Sequence, residues 1–457
     1  MRYGGGSDAA LDAASDAPRL TDLPDRSDSA RPSPRPDAPR GAMKHSDPPP
    51  GWRQTIARAT SLRRELHRTP ELAWEEHATA ALIRAELDRL AIGWRACAGT
   101  GTLATLAAAA QGRHVALRAD IDGLAIDEAG RHAWRSQVPH RMHACGHDGH
   151  SAALLATAAW LRRHEAELPG PVTLIFQPAE EGGHGARRMV EEGALDGVDC
   201  VFGWHNWPAL PFGTALCPDG VVMAANGTFR ITVEGRGGHA SQPEACRDPV
   251  LAGAAITVAL QQVVSRLRAP QEAVVVSVTS FDARGPETVI PDRCTLAGSI
   301  RLSDESLRRA VERDISRVAA STAEAHGVTA TVEHFPRYSV TRNHAEEASR
   351  YRAVLAAELG SAWRANAPLP IMASEDFGVY LEHRPGAFAL VGSDPGDGTA
   401  HPCHSPHYDF NDALLPRVVR IYSRLAGLSG PSSPTCGDHR SDSTDRGSDR
   451  EGSEIAR

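Results

Sequence analysis

Apolar residues follow two different patterns in the first half of the chain. Helical spacing predicts helices over residues 55–70, 77–92 and 151–168. Short apolar runs predict buried strands within residues 114–121, 171–181 and 198–208. Strands that alternate with helices are typical of an α/β fold with a mostly parallel sheet. Such sheets bind ligands beyond the carboxyl ends of their strands, and each predicted strand here leads into polar residues.

A different order of elements covers residues 227–337. Strands are predicted at 227–237, 272–283, 294–302 and 328–338, and helices at 248–267 and across apolar positions 307, 311, 315 and 318. Asp248 can cap the first of these helices, with Pro249 at its first position. The order β-α-β-β-α-β is that of a ferredoxin-like sandwich. We therefore predict an α+β lid or dimerisation domain inserted into the α/β domain.

The two ends of the chain have the composition of disordered tails. Residues 1–50 are rich in Pro, Asp, Ser and Arg, and residues 429–457 have the same character. Met43 is an alternative start that would remove most of the first tail. The predicted domains between the tails are a catalytic domain and an inserted domain, at residues 51–226 with 338–428 and at 227–337.

Composition and charge exclude several classes of function. With 41% hydrophobic and 23% charged residues, the chain has the composition of a globular protein. Its net charge is -8 and it has no basic block, so no nucleic-acid partner is expected. It has no run of about 18 apolar residues and no basic-then-apolar N-terminus, so we expect no membrane span and a cytoplasmic protein. The eight scattered cysteines are then expected to be reduced, metal-bound or buried.

Five polar clusters contain the candidate chemistry. They are Asp120 with Asp122, Cys145 with His147, Glu180 with Glu181, His205, and His404. Singly they are weak evidence, since a histidine beside tryptophan usually packs and a Glu–Glu pair usually lies in a solvated turn. However, Glu180 and Glu181 follow a strand too apolar to lie at the surface. Two like charges there are costly unless a cation lies beside them, which favours a metal site.

The stretch "MHACGHDGH" also allows two other interpretations. Cys145 could be a thiol nucleophile with His147 as its base, but this leaves the glutamate pair unexplained. A structural zinc site would use four Cys or His ligands and no carboxylates. One thiolate, several imidazoles and the carboxylates suit two metal ions with open positions, as in hydrolytic sites.

The motifs "HACGHDGH", "QPAEEGG", "GRGGHAS", "VIPD", "GSIR", "SEDFGVY" and "HSPHYDFND" occur in this order. Together with "HRTPELAWEE" they resemble the peptidase M20 family, and within it the amidohydrolase branch of N-acyl-amino-acid, hippurate and auxin-conjugate hydrolases. The resemblance covers roughly residues 52–428. It implies two divalent metal ions per subunit, Mn²⁺ or Zn²⁺, with Co²⁺ or Ni²⁺ as alternatives. The ligands it implies are Cys145 as the bridging ligand, His147, Glu181, His205 and His404.

The resemblance also implies roles for residues outside the ligand set. Glu180 matches the general base, and Arg301 matches a residue associated with the substrate carboxylate. His239 matches a histidine that donates to the oxyanion, often in the active site of a partner subunit, so a homodimer is expected. Thr288 stands where the family usually has Asn, and Glu244 where a histidine is common; both positions are near bound substrate in relatives.

Several neighbouring residues have competing interpretations. Asp120 and Asp122 either orient metal ligands or form a strand-end turn. Asp148 is expected to cap the following helix rather than to orient His147, and His150 to be structural. His404 is chosen over two nearby histidines because it precedes Ser-Pro and "DFND", and adjacent Cys403 is expected to be a bystander. The histidines not chosen are His401 and His407.

The predicted activity is hydrolysis of the amide bond of an N-acyl amino acid by metal-bound hydroxide, with a small-molecule substrate. Related alternatives are a metallo-dipeptidase and a carbamoyl-amide hydrolase, and Cys145 argues against the latter. A catalytically silent binding protein is the alternative from another class. The presence of Glu180 with all five ligands argues against it.

Overall fold

The computed structural model describes residues 49–428. The predicted tails, apart from residues 49 and 50, and Met43 lie outside the described residues. The α-helices are α1 Trp52–Arg68, α2 His77–Arg89, α3 His147–Arg163, α4 Gly185–Glu191, α5 Pro249–Ala259, α6 Gln262–Ser265, α7 Arg308–Ala325, α8 Ala345–Leu359, α9 Gly378–His383 and α10 Leu414–Leu425. The strands are β1 Trp94–Cys97, β2 Gly101–Leu106, β3 Val115–Asp120, β4 Val172–Gln177, β5 Cys200–Pro211, β6 Ala215–Leu216, β7 Gly220–Met223, β8 Ala225–Glu234, β9 Gly238–His239, β10 Val274–Asp282, β11 Val289–Ile290, β12 Arg293–Leu302, β13 Thr329–Pro336, β14 Thr341–Asn343 and β15 Gly386–Asp394. No helix within the described range is long and apolar enough to span a bilayer.

The larger of the two main sheets has seven strands, in the order β1-β2-β4-β3-β5-β15-β6. The four central strands, β4, β3, β5 and β15, run parallel, and the strands at both edges are antiparallel to their neighbours. This confirms the predicted α/β fold with a mostly parallel core. Parallel strands need both faces covered, which explains their almost continuous apolar runs.

The two faces of this sheet pack into separate cores. Leu174 and Phe176 of β4 lie in a core that includes residues of α1, α3, α8 and α10. The intervening Ile175 lies in a second core with residues of α4 and α9. Alternate residues of one strand therefore face opposite layers, as the period of two in a strand requires.

An antiparallel four-stranded sheet has the order β10-β12-β8-β13. The chain order β8, α5, β10, β12, α7, β13 confirms the predicted β-α-β-β-α-β pattern. Asp248 caps α5 by accepting hydrogen bonds from the backbone N–H groups of Val250 and Leu251. The helix predicted over 248–267 is interrupted: Gln261 donates to the Val258 carbonyl, three residues back, and a short α6 follows. The boundaries of an inserted domain at 227 and 337 stay a prediction.

Helix α3 begins four residues before the predicted start. Gly146, with φ of 96°, precedes it in the left-handed region, and His147 is its first residue. The first turn contains histidine and aspartate rather than apolar residues, so helical spacing did not reveal it. These polar side chains are nevertheless fully buried. The motif "HACGHDGH" therefore crosses from a loop into a helix at the point where its candidate ligands lie.

Candidate metal centre

Three adjacent parallel strands bring the polar clusters to one edge of the large sheet. Strand β3 ends at Asp120, and Glu180 and Glu181 follow the end of β4. Strand β5 continues past this level and presents His205. The start of α3 faces the same edge, so Cys145 joins the group from the preceding loop. Clustering at the carboxyl ends of parallel strands confirms the position expected for a ligand site in an α/β sheet.

A cleft of about 420 Å³ lies between this edge and the four-stranded sheet. From the large sheet and its loops come most of the predicted ligands. From the other sheet and the segment that follows it come Asn226, Arg301, Arg337 and Tyr338. The remaining lining residues are Cys145, Glu180, Glu181, Gly182, His205, Trp207, Met223, Ala373, Ser374, Glu375, Cys403 and His404.

The five predicted ligands converge in this region. The Sγ atom of Cys145 lies 3.3 Å from Nε2 of His205. Nε2 of His404 lies 3.1 Å from Oε1 of Glu181. Ligand atoms of His147 lie within 4.8 Å of those of Cys145 and His205, and also of the carboxylate oxygens of the glutamate pair. Donor atoms this close together are spaced as ligands that share metal ions.

Hydrogen bonds fix the orientation of two of these histidines. Nδ1 of His147 lies 2.9 Å from the carbonyl oxygen of Asp122 and 3.1 Å from its Oδ1. Nδ1 of His205 lies 2.6 Å from the carbonyl oxygen of Asn206. Because an oxygen acceptor faces Nδ1, that nitrogen must carry the ring proton. The lone pair of Nε2 then faces the cluster of predicted ligands. Metal-bound histidines are held in this way by carboxylates and carbonyls.

Two buried atoms of the predicted ligands have no hydrogen-bond partner among the described residues, namely Nε2 of His147 and Oε1 of Glu181. The latter is close to His404 in distance, but not in hydrogen-bond geometry. Buried polar atoms are rarely left unsatisfied unless an ion or water binds them. One soft thiolate, three imidazoles and one carboxylate also form a donor set suited to zinc or manganese. The residues therefore fit divalent cations.

The chain matches the profile of peptidase family M20/M25/M40 over residues 116–427. The chain belongs to the peptidase M20 family. Its curated relatives include IAA-amino acid hydrolase ILR1-like 4 of Arabidopsis thaliana, 36% identical over 371 residues that cover 80% of this chain and 84% of the relative. Hippurate hydrolase of Campylobacter jejuni is 35% identical, with 80% and 94% covered. N-acetylcysteine deacetylase of Bacillus subtilis is 38% identical, with 81% and 96% covered.

Solved structures agree with this assignment. A dinuclear metal binding peptidase from the M20 family, from Bacillus subtilis, has a TM-score of 0.70 and 32% identity, covering 82% of this chain and 98% of that one. The relatives are named as hydrolases of amino-acid conjugates or as a deacetylase. This M20 family member is therefore an enzyme of the amidohydrolase branch, as the motifs predicted.

Glu180 is buried, more completely than its neighbour Glu181. Burial and the neighbouring carboxylates of Glu375 and Glu181 raise its pKa well above the usual range. The hydroxyl of Tyr338 donates to the Glu180 carbonyl oxygen at 2.5 Å and so anchors this turn. A carboxylate with a raised pKa can take a proton from water and give it up again.

Sequence reasoning missed a buried ion cluster behind Glu180. The guanidinium of Arg118 lies 2.6 Å from Asp120, 2.8 Å from Glu375 and 3.1 Å from Asp376. All four side chains are almost completely buried. The motif "SEDFGVY" contains Glu375 and Asp376, which are unusual in a buried segment. Arg118, which pairs with both, lies over 250 positions away in the sequence. Arg118 therefore offsets part of the negative charge of three buried acidic residues close to the proposed metal ligands.

Asp120 and Asp122, the two aspartates of one predicted cluster, make different contacts. Oδ2 of Asp122 accepts a hydrogen bond from the Glu181 backbone N–H at 2.9 Å, so Asp122 contacts two predicted ligands. Oδ1 of Asp120 lies 2.6 Å from Nδ1 of His150, whose Nε2 lies 2.7 Å from Oδ1 of Asn206. With both ring nitrogens engaged, His150 has a structural position in this M20 family site.

The expectation for Asp148 was wrong. It does not cap α3, because the residue before the helix is Gly146 and no side chain caps it. It does not orient His147 either. Its Oδ2 lies 2.8 Å from Nδ1 of His67 on α1 and 3.6 Å from Arg63. Charges on a helix distant in sequence therefore determine where this buried carboxylate points.

The structure also shows how Cys145 lies relative to Cys403, and how His404 differs from the two histidines near it. Contact with the Cys403 thiol and burial raise the pKa of the Cys145 thiol well above its usual range. His404 lines the cleft with φ of 68°, whereas His401 and His407 are exposed outside it, with ring centroids 5.3 Å apart.

The predicted residues of the four-stranded sheet and its loops are not all brought to the cleft. Arg301, half-buried on β12, lines it. His239 is exposed on β9, which pairs with β11, and Nδ1 of His239 lies 2.8 Å from Oγ of Ser241. Thr288 accepts a hydrogen bond from the Ala240 backbone on the same ribbon, and Glu244 lies close by in sequence. The roles predicted for His239 and Thr288 therefore stay predictions.

Proposed function

We propose that this enzyme hydrolyses the amide bond of N-acyl amino acids with two divalent metal ions. The observation that carries this proposal is the convergence of five side chains that can bind metal. Two of them, His147 and Glu181, each have a buried atom without a hydrogen-bond partner among the described residues. The ligands would be Cys145, His147, Glu181, His205 and His404. Manganese and zinc are the ions we expect first.

Bound ions of this kind lower the pKa of a water molecule and polarise a carbonyl oxygen. Glu180 would take the proton from that water and deliver it to the departing amine. Its raised pKa and its position directly before a ligand support this role. Glu180 is buried, and burial strengthens its electrostatic interactions with charge at the site, because the effective dielectric constant there is lower than in water.

The cleft also suits the two ends of an N-acyl amino acid. The guanidinium of Arg301 would bind the free carboxylate, since arginine forms strong charge-assisted pairs with carboxylates. Trp207 and Met223 offer apolar surface for the acyl group. The relatives named for IAA-amino acids, hippurate and N-acetylcysteine support a substrate of this class.

The test is amide hydrolysis by chelator-stripped protein, with and without added Mn²⁺, Zn²⁺, Co²⁺ or Ni²⁺. The substrates are N-acetyl and N-benzoyl amino acids together with simple dipeptides, and Glu180→Gln is the control variant. We expect metal-restored cleavage of the acylated substrates that is lost in Glu180→Gln although metal still binds. Preferential cleavage of dipeptides would instead support a dipeptidase, and bound metal without any cleavage a silent binding protein.

We further propose that the enzyme is a homodimer in the cytoplasm and that His239 serves the site of the partner subunit. Its exposure outside the cleft of its own chain supports this arrangement. Co-expression of His239→Ala with Glu180→Gln subunits separates the possibilities. If His239 acts across subunits, the mixed dimer has one site with both residues intact and regains activity. If it acts within one chain, or not at all, no recovery above the single variants follows.

A further inference from the structure

The cleft contains a second guanidinium group that the proposed function does not use. Arg301 projects from β12, and Arg337 follows the end of β13. Both line the same cleft as the candidate metal ligands. Arg337 belongs to none of the motifs that carried the family resemblance, so its position emerges only from the structure.

Neither arginine is neutralised by the protein. Among residues 49–428, no carboxylate oxygen lies within 4.0 Å of either guanidinium, whereas buried Arg118 contacts three carboxylates. Burial and the positive charge of Arg337 both lower the pKa of Arg301. Two like charges at a half-buried site are unfavourable in the absence of anions. An arrangement of this kind is suited to a ligand that itself carries negative charge.

The position of Arg337 is tightly constrained. Its Nη2 donates to the Gly182 carbonyl oxygen at 2.8 Å, in the residue directly after the predicted ligand Glu181. Gly182 has φ of +87°, and a Cβ atom there would lie 2.0 Å from Nη2 of Arg337. A side chain at residue 182 would therefore displace the guanidinium from this position. The backbone N–H groups of Arg337 and Tyr338 also bond to the carbonyl and Oδ1 oxygens of Asn226.

The two arginines approach the cleft from different places. Arg301 pairs in register with Asn226 inside the antiparallel sheet. Arg337 lies against the loop that carries the glutamate pair. A substrate with a single carboxylate needs one such group, because one guanidinium fork matches one carboxylate in a bidentate pair. Two separate cations match two anionic groups.

We propose that the preferred substrates are N-acyl derivatives of dicarboxylic amino acids, that is, of aspartate or glutamate. This inference rests on the proposed function, because it assigns Arg301 to the α-carboxylate. Arg337 then binds the side-chain carboxylate and determines specificity without touching the amide that is cleaved.

The experiment compares N-acetylglutamate with N-acetylglutamine, which have almost the same shape but differ in side-chain charge. We expect kcat/KM of the metal-loaded enzyme to favour N-acetylglutamate by about tenfold or more. In Arg337→Met the ratio of the two kcat/KM values should fall close to one, mainly through KM for N-acetylglutamate. Arg342→Met, which changes an exposed arginine on β14 that pairs with Asp304, should keep the wild-type ratio.

Equal cleavage of the two substrates by the wild-type enzyme overturns the inference, and this result does not depend on whether Arg337→Met folds. A preference for N-acetylglutamate that persists in Arg337→Met also overturns it. If N-acetylglutamine and other neutral acyl amino acids are cleaved best, the proposed function stands while this inference fails. If no acyl amino acid is cleaved, the proposed function itself fails.

Discussion

Asp122 offers a sharp test of the proposed metal centre, because it orients two predicted ligands without being one. Oδ1 lies 3.1 Å from Nδ1 of His147, and Oδ2 accepts from the Glu181 backbone at 2.9 Å. In Asp122→Asn, one of these oxygens becomes an amide nitrogen that faces another donor. The variant therefore loses one hydrogen bond to a charged acceptor, in either orientation of the amide.

The size of the effect follows from these contacts. Loss of a hydrogen bond to a charged group costs about 1.5–3 kcal/mol. The carbonyl oxygen of Asp122 still holds Nδ1 of His147 at 2.9 Å, so the ring keeps its tautomer and the loss is limited. We expect metal binding to weaken by about 10–100-fold, the usual range for residues that orient metal ligands.

The assay is titration of chelator-stripped protein with Zn²⁺ or Mn²⁺ in competition with a chelating dye, for wild type and Asp122→Asn. Asp127→Asn is the matched control, since Asp127 is exposed and its side chain forms hydrogen bonds only with the backbone and ring of His140 among the described residues. Thermal unfolding of the stripped proteins shows whether each variant folds. Unchanged metal affinity in a folded Asp122→Asn protein would refute the assignment of His147 and Glu181 as ligands.

Three further predictions concern other parts of the site and its supports. Cys145→Ser should lose bound metal, whereas Cys403→Ser should keep the wild-type amount, as measured by elemental analysis of dialysed protein; equal loss would make Cys403 a ligand. Arg118→Met leaves buried carboxylates unpaired and should lower the free energy of unfolding by about 3–5 kcal/mol in urea titrations. Burial lowers the pKa of His67, but Asp148 outweighs it and raises the value from 6.5 to about 9. Stability from this charge, about 3 kcal/mol, is then fully present below pH 6.5 and is lost as the pH rises through 9. His67→Gln should lose less stability than wild type between pH 7 and pH 10, and equal losses would contradict the pairing.

The elements and the nature of the site could be inferred from local patterns. Strands β3, β4 and β5 begin with apolar runs because both faces of the sheet are buried, and these runs identify them in the sequence. Polar residues that follow the apolar runs of adjacent parallel strands lie at the same edge of the sheet, so the meeting of Glu181 and His205 was predictable. The chain order of the second sheet was likewise evident from the order of strand and helix patterns.

Contacts between distant segments depended on tertiary packing. Asp148 was expected to act within its own helix, but it points to His67 because α1 packs against α3 and supplies buried positive charge. The partner of Glu375 and Asp376 could not be identified either, since Arg118 resembles any arginine in a strand until the sheet brings them together.

There is a simple physical reason why the elements could be predicted from the sequence and the contacts between distant segments could not. Backbone pattern and burial repeat with the period of a helix or a strand, and these periods are visible in the sequence itself. A hydrogen bond or ion pair between segments depends on distances of a few ångströms, which are established only when both segments are packed. Local sequence was therefore sufficient to predict a ligand motif for this enzyme, whereas tertiary structure decided between the two interpretations of Asp122 and brought Arg337 into the cleft.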